Sequence, residues 1–179
     1  YLELVHRLDR DTSGLIMIAR RPAMLREIHR QLREDKVDKR YLALVAGSWP
    51  KNLRVVDAPL EKNVLQSGER MVRVAQAGKR SITEFAIVER FGNATLIEAK
   101  PITGRTHQIR VHARHAGFPL LGDIKYSDER TATLCSALGL QRLFLHARSL
   151  RIKLPEAGLV EFNAPLDPDL ENILNKIRN

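Results

Sequence analysis

Two stretches of this chain carry more polar chemistry than folding alone requires. The first, His6-Arg7-Leu8-Asp9-Arg10-Asp11-Thr12-Ser13-Gly14, interleaves two arginines with two carboxylates just ahead of an apolar run. Neighbouring arginines favour the ionised form of a carboxylate, the form needed by a nucleophile or a base. Asp11 through Gly14 also reads as a hydrogen-bonded turn. Composition alone leaves Asp9 open between that solvated turn and a chemical role. The second stretch runs from Gly104 to His112. On a helix, His107, Arg110, Val111 and Arg114 fall three or four apart and share one side. One apolar residue among three basic or titratable ones suits a helix lining a phosphate-rich cleft better than one facing a core. A metal site is not expected here. His112 and His115 have ligand spacing, but His107 lies five residues before His112, and no pair of carboxylates is near in sequence. Tyr41 follows Lys39-Arg40, and an aromatic beside two cations can stack on a base while the cations take phosphates. A core tyrosine at a strand start is the competing reading.

These segments need elements to hold them. Residues 15–19 (LIMIA) form an apolar run that reads as a buried strand behind the first stretch. Pro22 then opens an amphipathic helix to about residue 35, with Met24, Leu25, Ile28 and Leu32 on its apolar side. Residues 40–47 alternate as a strand, and further strands are expected at 53–60, 71–75, 81–90 and 95–102. Gly78 and Gly92-Asn93 supply turns between them. Gly68-Glu69-Arg70, with Lys62 and Arg73 nearby, reads as an exposed basic loop. Residues 105–116 form a short helix stopped by Gly117 and Pro119. Residues 142–154 and 159–166 form a hairpin closed at Glu156-Ala157-Gly158. A final helix has Asp167 as N-cap, Pro168 at its first position, and a stripe of Leu170, Ile173, Leu174 and Ile177. Many hairpin-linked strands with a few helices imply an α+β fold: a mixed, largely antiparallel sheet with helices packed against it. With neither a GxGxxG nor a P-loop sequence, a βαβ nucleotide-binding fold is not expected.

Composition sets the outer bounds. At 179 residues, without repeats, low-complexity tracts or a long linker, residues 1–179 are expected to form one unit. Thirty Lys and Arg against 21 Asp and Glu leave a net charge of +9 and a sequence pI near 10.1. Such an excess suggests a polyanionic partner, because a basic surface binds phosphates by releasing counterions. No apolar run approaches the roughly 20 residues that cross a bilayer, so no membrane role is expected. The single cysteine, Cys135, excludes an internal disulfide, reads as a structural thiol in its apolar TLCSAL setting, and fits a reducing cytoplasm. Nothing points beyond a monomer.

Taken in order, HRLDRDTSG before an apolar strand, KRYLAL, KPITGRTHQIRVH with GFPLLGD, and RLFLHA resemble the RluA-type family of pseudouridine synthases. The match runs through almost the whole chain. LEKNVLQSGERMVRV further resembles the subgroup of that family acting on large-subunit ribosomal RNA. The resemblance implies a mixed β-sheet core with flanking helices and a central RNA-binding cleft. It implies isomerisation of uridine to pseudouridine with no cofactor and no metal, and ribosomal RNA as partner. Asp9 matches the family's essential catalytic aspartate, and Arg7 the arginine that enters the space left by the extruded nucleotide. Tyr41 is implied to stack on the uracil and assist proton removal, and Arg110 to pair with the aspartate. Leu145 is the implied apolar wall, and Arg105 and His107 complete the RNA-binding set. Members of the subgroup carry an N-terminal RNA-binding domain and a Lys-Pro strand ahead of HRLD, and this chain starts five residues before His6.

Overall fold

The computed structural model describes residues 1–64 and 70–179. In chain order the elements are β1 (Glu3–Leu4), β2 (Ser13–Gly14), β3 (Ile18–Ala19), α1 (Pro22–Arg33), β4 (Asp38–Ala46), β5 (Val55–Asp57), β6 (Leu60–Val64) and β7 (Arg70–Val74). There follow β8 (Ile82–Arg90), β9 (Ala94–Pro101), α2 (Gln108–His115), α3 (Glu129–Leu138), β10 (Leu145–Leu154), β11 (Gly158–Asn163) and α4 (Pro168–Arg178). The main sheet runs β11-β10-β4-β9-β8-β5, antiparallel throughout, and the short β2 adds to β10 in parallel. This is the mixed, largely antiparallel α+β architecture that the strand pattern implies.

Strand β4 shows how the sheet divides the core. Both of its faces are covered from Leu42 onward, so its second half is buried continuously instead of alternating with solvent. Ala43 and Val45 pack with Ile97, Ala99, Ile109 and Leu145 on the face covered by α2. Leu42, Leu44 and Ala46 pack with Leu134, Leu170, Ile173 and Leu174 on the face covered by α3 and α4. The period of two along a strand sends each set to its own side. Tyr41 belongs to the α2 side and packs at the edge of that cluster.

Four details depart from the sequence pattern. LIMIA is not a buried strand: Ile16 and Ile18 are exposed, and only Ala19 of the run is buried. The run leaves the sheet after β2 and pairs as β3 with the small β1. Helix α3 is an addition. Its cue is local, because the Asp128 carboxylate accepts from Thr131 N–H while the Thr131 hydroxyl accepts from Asp128 N–H, a capping box that starts the helix. Gly139, at φ 70°, ends it. Strand β6 is also new, pairing with β7 and packing Leu60 and Val72 against Val111 and Tyr126. Finally, α2 starts at Gln108, after His107. The basic loop expected around residues 68–70 lies largely outside the described residues.

Candidate active site

A cleft of about 930 Å³ opens on the α2 side of the sheet. Its walls are the 4–12 segment, the C-terminal end of α1, Lys39 and Tyr41 of β4, residues 101–110, and Leu145. Seven of the residues that the sequence singles out line it: Arg7, Asp9, Tyr41, Arg105, His107, Arg110 and Leu145. Arg114 does not; it is exposed on the far side of α2.

The loop carrying Asp9 is fixed from behind. The Asp9 carbonyl accepts from Thr12 N–H (3.0 Å), closing a turn, and β2 then docks in parallel on β10. Gly14, at φ 101°, lies so close that a Cβ would overlap the Ala147 backbone, so glycine alone fits this approach. The Ser13 hydroxyl and His146 Nδ1 are hydrogen-bonded (2.8 Å), and Nε2 of that ring faces the Ala164 carbonyl (3.3 Å).

Asp9 projects from this loop toward Arg110, whose guanidinium donates to its carboxylate at 3.1 Å. Arg110 is 8% exposed and does not reach Asp9 unaided. Its Nε and second terminal nitrogen donate to the two oxygens of Asp123, at 2.7 and 2.8 Å. Asp123 is itself fixed by the backbone N–H groups of Lys125 and Tyr126 (3.0 and 3.1 Å). The Tyr126 ring lies beneath the guanidinium, 5.1 Å from ring centre to carbon. The result is a carboxylate–guanidinium–carboxylate chain reaching from a buried acid to the cleft. Both partners favour the charged form of Arg110 and hold its pKa above the ordinary value despite burial.

His107 precedes α2 with a left-handed backbone, φ 53°, a conformation that histidine tolerates better than branched residues. Gln108 pins this corner: its carbonyl oxygen accepts from the Thr103 hydroxyl (2.7 Å) and from Arg105 N–H (3.0 Å), and its amide donates to the Ile82 carbonyl and Thr83. The Tyr126 hydroxyl accepts from Val72 N–H and is hydrogen-bonded to His107 Nδ1 (2.7 Å). Burial pushes the His107 pKa down, with Asp9 opposing and Arg110 adding to the fall. Among the described residues no cluster of histidine, cysteine and acid side chains could hold a metal ion. His112, one of the ligands weighed from sequence, has both ring nitrogens occupied, by Thr83 (2.8 Å) and the Ala58 carbonyl (2.9 Å).

The apolar part of the cleft is Tyr41 and Leu145. Burial, with a smaller contribution from the charge of Asp9, pushes the Tyr41 phenol up to about 12. Arg7 is exposed at the cleft mouth, and Arg105, also exposed, donates to the Arg80 carbonyl (3.1 Å).

The cleft thus holds a carboxylate fixed by arginine beside an aromatic and an aliphatic wall, with cations at its rim. The family model for RNA pseudouridylate synthase matches residues 1–115. The chain belongs to this family. Among curated relatives, it is 54% identical to the ribosomal large subunit pseudouridine synthase C of Pasteurella multocida, over 99% of this chain and 55% of that protein. It is 51% identical to the protein of the same name from Escherichia coli, over 100% of this chain and 57% of that one. The chain therefore spans a little over half the length of these relatives. Among solved structures, human RNA pseudouridylate synthase domain containing 4 superposes with a TM-score of 0.81 at 28% identity, covering 99% of this chain and 76% of that one. Human RNA pseudouridylate synthase domain containing 1 also gives 0.81 at 28%, covering 97% and 73%. The pseudouridylate synthase fold is thus shared along nearly the full chain. Two residues that sequence reasoning did not single out, Asp123 and Tyr126, prove central to the site. The cue for Asp123 was a lone acid in the apolar run LLGDIKY, since a buried carboxylate must find a cation or donors.

Proposed function

We propose that this chain isomerises specific uridines to pseudouridine in large-subunit ribosomal RNA, with Asp9 as the catalytic residue. The observation that carries the reading is the position of Asp9: held by Arg110 on the wall of the cleft, with Tyr41 and Leu145 lining the same space. The reaction breaks the bond from uracil N1 to the sugar C1′, turns the freed ring, and joins C5 to C1′. The C5 proton leaves and N1 gains one, so electrons balance without redox chemistry. A paired or stacked base is out of reach, so the nucleotide is flipped into the cleft at a cost of a few kcal/mol. Arg7 at the mouth fills the space it vacates, while Arg105 and His107 hold the backbone.

Asp9 acts at the sugar, by attack on C1′ or by removal of the 2′ proton; either route loosens the glycosidic bond while the uracil is retained against Tyr41. The raised phenol pKa defines the second role of Tyr41. With a value of about 12, roughly one phenol in 10⁵ is ionised at pH 7. Tyr41 therefore serves as a stacking surface and a hydrogen-bonding anchor for the water that takes the C5 proton. A cytoplasmic setting fits the lone, partly buried Cys135.

The test is a pseudouridine-specific chemical probe on unmodified large-subunit ribosomal RNA, incubated with the chain and with its Asp9→Ala variant. New modification with the wild type and none with the variant is expected. Modification by both would remove Asp9 from the mechanism; modification by neither, with RNA bound, would leave a binding module.

A further inference from the structure

Lys39 is the cleft cation that the proposed mechanism leaves unused. It lines the cleft with Tyr41, two residues along β4, and strand alternation sends both side chains to the same side. The two positions are roughly 6.6 Å apart along the strand, from the rise per residue. Gly104 stands over the end of the side chain, where a Cβ would lie 3.6 Å from Lys39 Nζ. The ammonium is thus enclosed between β4 and the 103–106 loop at the level of the uracil platform.

What it lacks is a counter-charge. Arg110, the other enclosed cation of the cleft, donates to two carboxylates. The Lys39 ammonium makes no hydrogen bond or ion pair of 4.0 Å or less with any described residue. Asp35, at the end of α1 and also lining the cleft, acts on it only across a longer distance. Burial lowers the Lys39 pKa, the mark of an ammonium stripped of water without full compensation. Its N–H donors face the cleft without a partner among the described residues, so they are available to an acceptor that a ligand brings.

We infer that Lys39 is a phosphate-binding residue that takes the phosphodiester beside the flipped nucleotide while its uracil lies on Tyr41. This rests on the uridine-isomerising reading of the same cleft and adds a polar fix to the stacking contact. The spacing between the two side chains is comparable with the reach from a nucleobase to its own phosphate. A compact ammonium suits this place, because it serves a phosphate as a point charge from any direction and fits under Gly104.

The experiment measures binding of an unmodified large-subunit ribosomal RNA transcript to the Asp9→Asn chain, with Lys39 or with Lys39→Gln, between 50 and 200 mM salt. Using Asp9→Asn separates binding from turnover. Loss of one phosphate contact should flatten the log–log salt dependence by about 0.7. The variant should bind roughly tenfold more weakly at low salt, and lose about 2.6-fold less affinity than its parent over that fourfold rise in salt. Its thermal midpoint should stay level or rise, since a half-buried, unpaired ammonium is gone; a lysine serving the fold would lower it. An unchanged slope, or a lowered midpoint with unchanged slope, overturns the inference and leaves the reaction assigned to Asp9 intact. A flattened slope together with no pseudouridine from the wild-type chain would keep the phosphate site and discard the reaction. Absence of RNA binding by the parent at 50 mM salt would overturn the site.

Discussion

Asp123→Ala tests the idea that the Asp9 carboxylate is positioned through an arginine held from behind. The Asp123 side chain is 0% exposed and that of Arg110 9%. Removing the acid leaves a buried guanidinium with Nε and one terminal nitrogen unpaired, and two backbone N–H groups without an acceptor. Breaking a buried pair from one side costs about 3–5 kcal/mol. Asp123→Asn keeps one oxygen for the backbone groups but turns an amide N–H₂ toward the guanidinium, at roughly 1.5–3 kcal/mol, the worth of a hydrogen bond to a charged group. Urea midpoints should therefore fall in the order wild type, Asn, Ala. Replacing both members, Arg110→Met with Asp123→Leu, should recover much of the stability lost in Asp123→Ala, because no charge is then stranded. Turnover should not follow stability. With Arg110 free to move, Asp9 loses its oriented partner, and single-turnover rates should drop about 10²-fold even where the variant is fully folded. If Asp123→Ala loses less than about 1 kcal/mol and keeps its single-turnover rate, the clamp does not position Arg110 and this reasoning fails.

Gly14→Ala should lower stability by roughly 2–4 kcal/mol in chemical unfolding and suppress turnover with it, because the Asp9 loop must lift from β10; a wild-type midpoint would show that β2 need not dock so closely. Tyr41→Phe keeps the ring and should leave RNA affinity near wild type, whereas Tyr41→Ala should weaken it roughly 5- to 150-fold, from about 1–3 kcal/mol of stacking; equal losses in filter binding would move the role to the hydroxyl. Stability should fall with acid before any carboxylate titrates. His6, His107 and His112 all have folded-state pKa values depressed chiefly by burial, while Lys39, His115 and Asp57 modulate the first and last. Below about pH 6.5 the unfolded chain then binds more protons than the folded one, so stability present above that pH is lost as pH falls toward the folded-state values. Calorimetry from pH 7.5 to 5.5 should show a falling midpoint, less steep in His112→Gln; a flat midpoint would contradict the burial argument.

What the sequence made legible, and what it concealed, follows from the range of the interactions. Helices α1, α2 and α4 and the long β-hairpins could be read because caps, apolar periodicity and turn residues act over a few positions, and Asp9, Tyr41 and Arg110, which the fold brings to one cleft, could be marked as candidates because each sits in a short motif. Helix α3 was equally local in origin, its capping box and terminal glycine plain in SDERT and Gly139, but its weak apolar stripe gives periodicity little to register. LIMIA was misread for the opposite reason: a run of apolar residues records hydrophobicity and not the partner that would bury it, and here the chain leaves the sheet edge. LLGDIKY marks Asp123 as a lone acid and KRY marks Lys39 as a cation beside an aromatic, but the partners of both were beyond any local pattern. One is an acid whose meaning depends on an arginine 13 residues away in sequence and across a loop in space, the other a lysine whose meaning is the lack of an acid. Pairing and its absence are properties of the folded surface, and they separate Arg110, a cation already committed to Asp9 and Asp123, from Lys39, a cation with three donors still to place. The distribution of charge within the cleft is thus more informative than the net +9 of the chain: the excess would favour a polyanion in general, whereas an enclosed ammonium unmatched by acids among the described residues would mark where on that polyanion the contact is made.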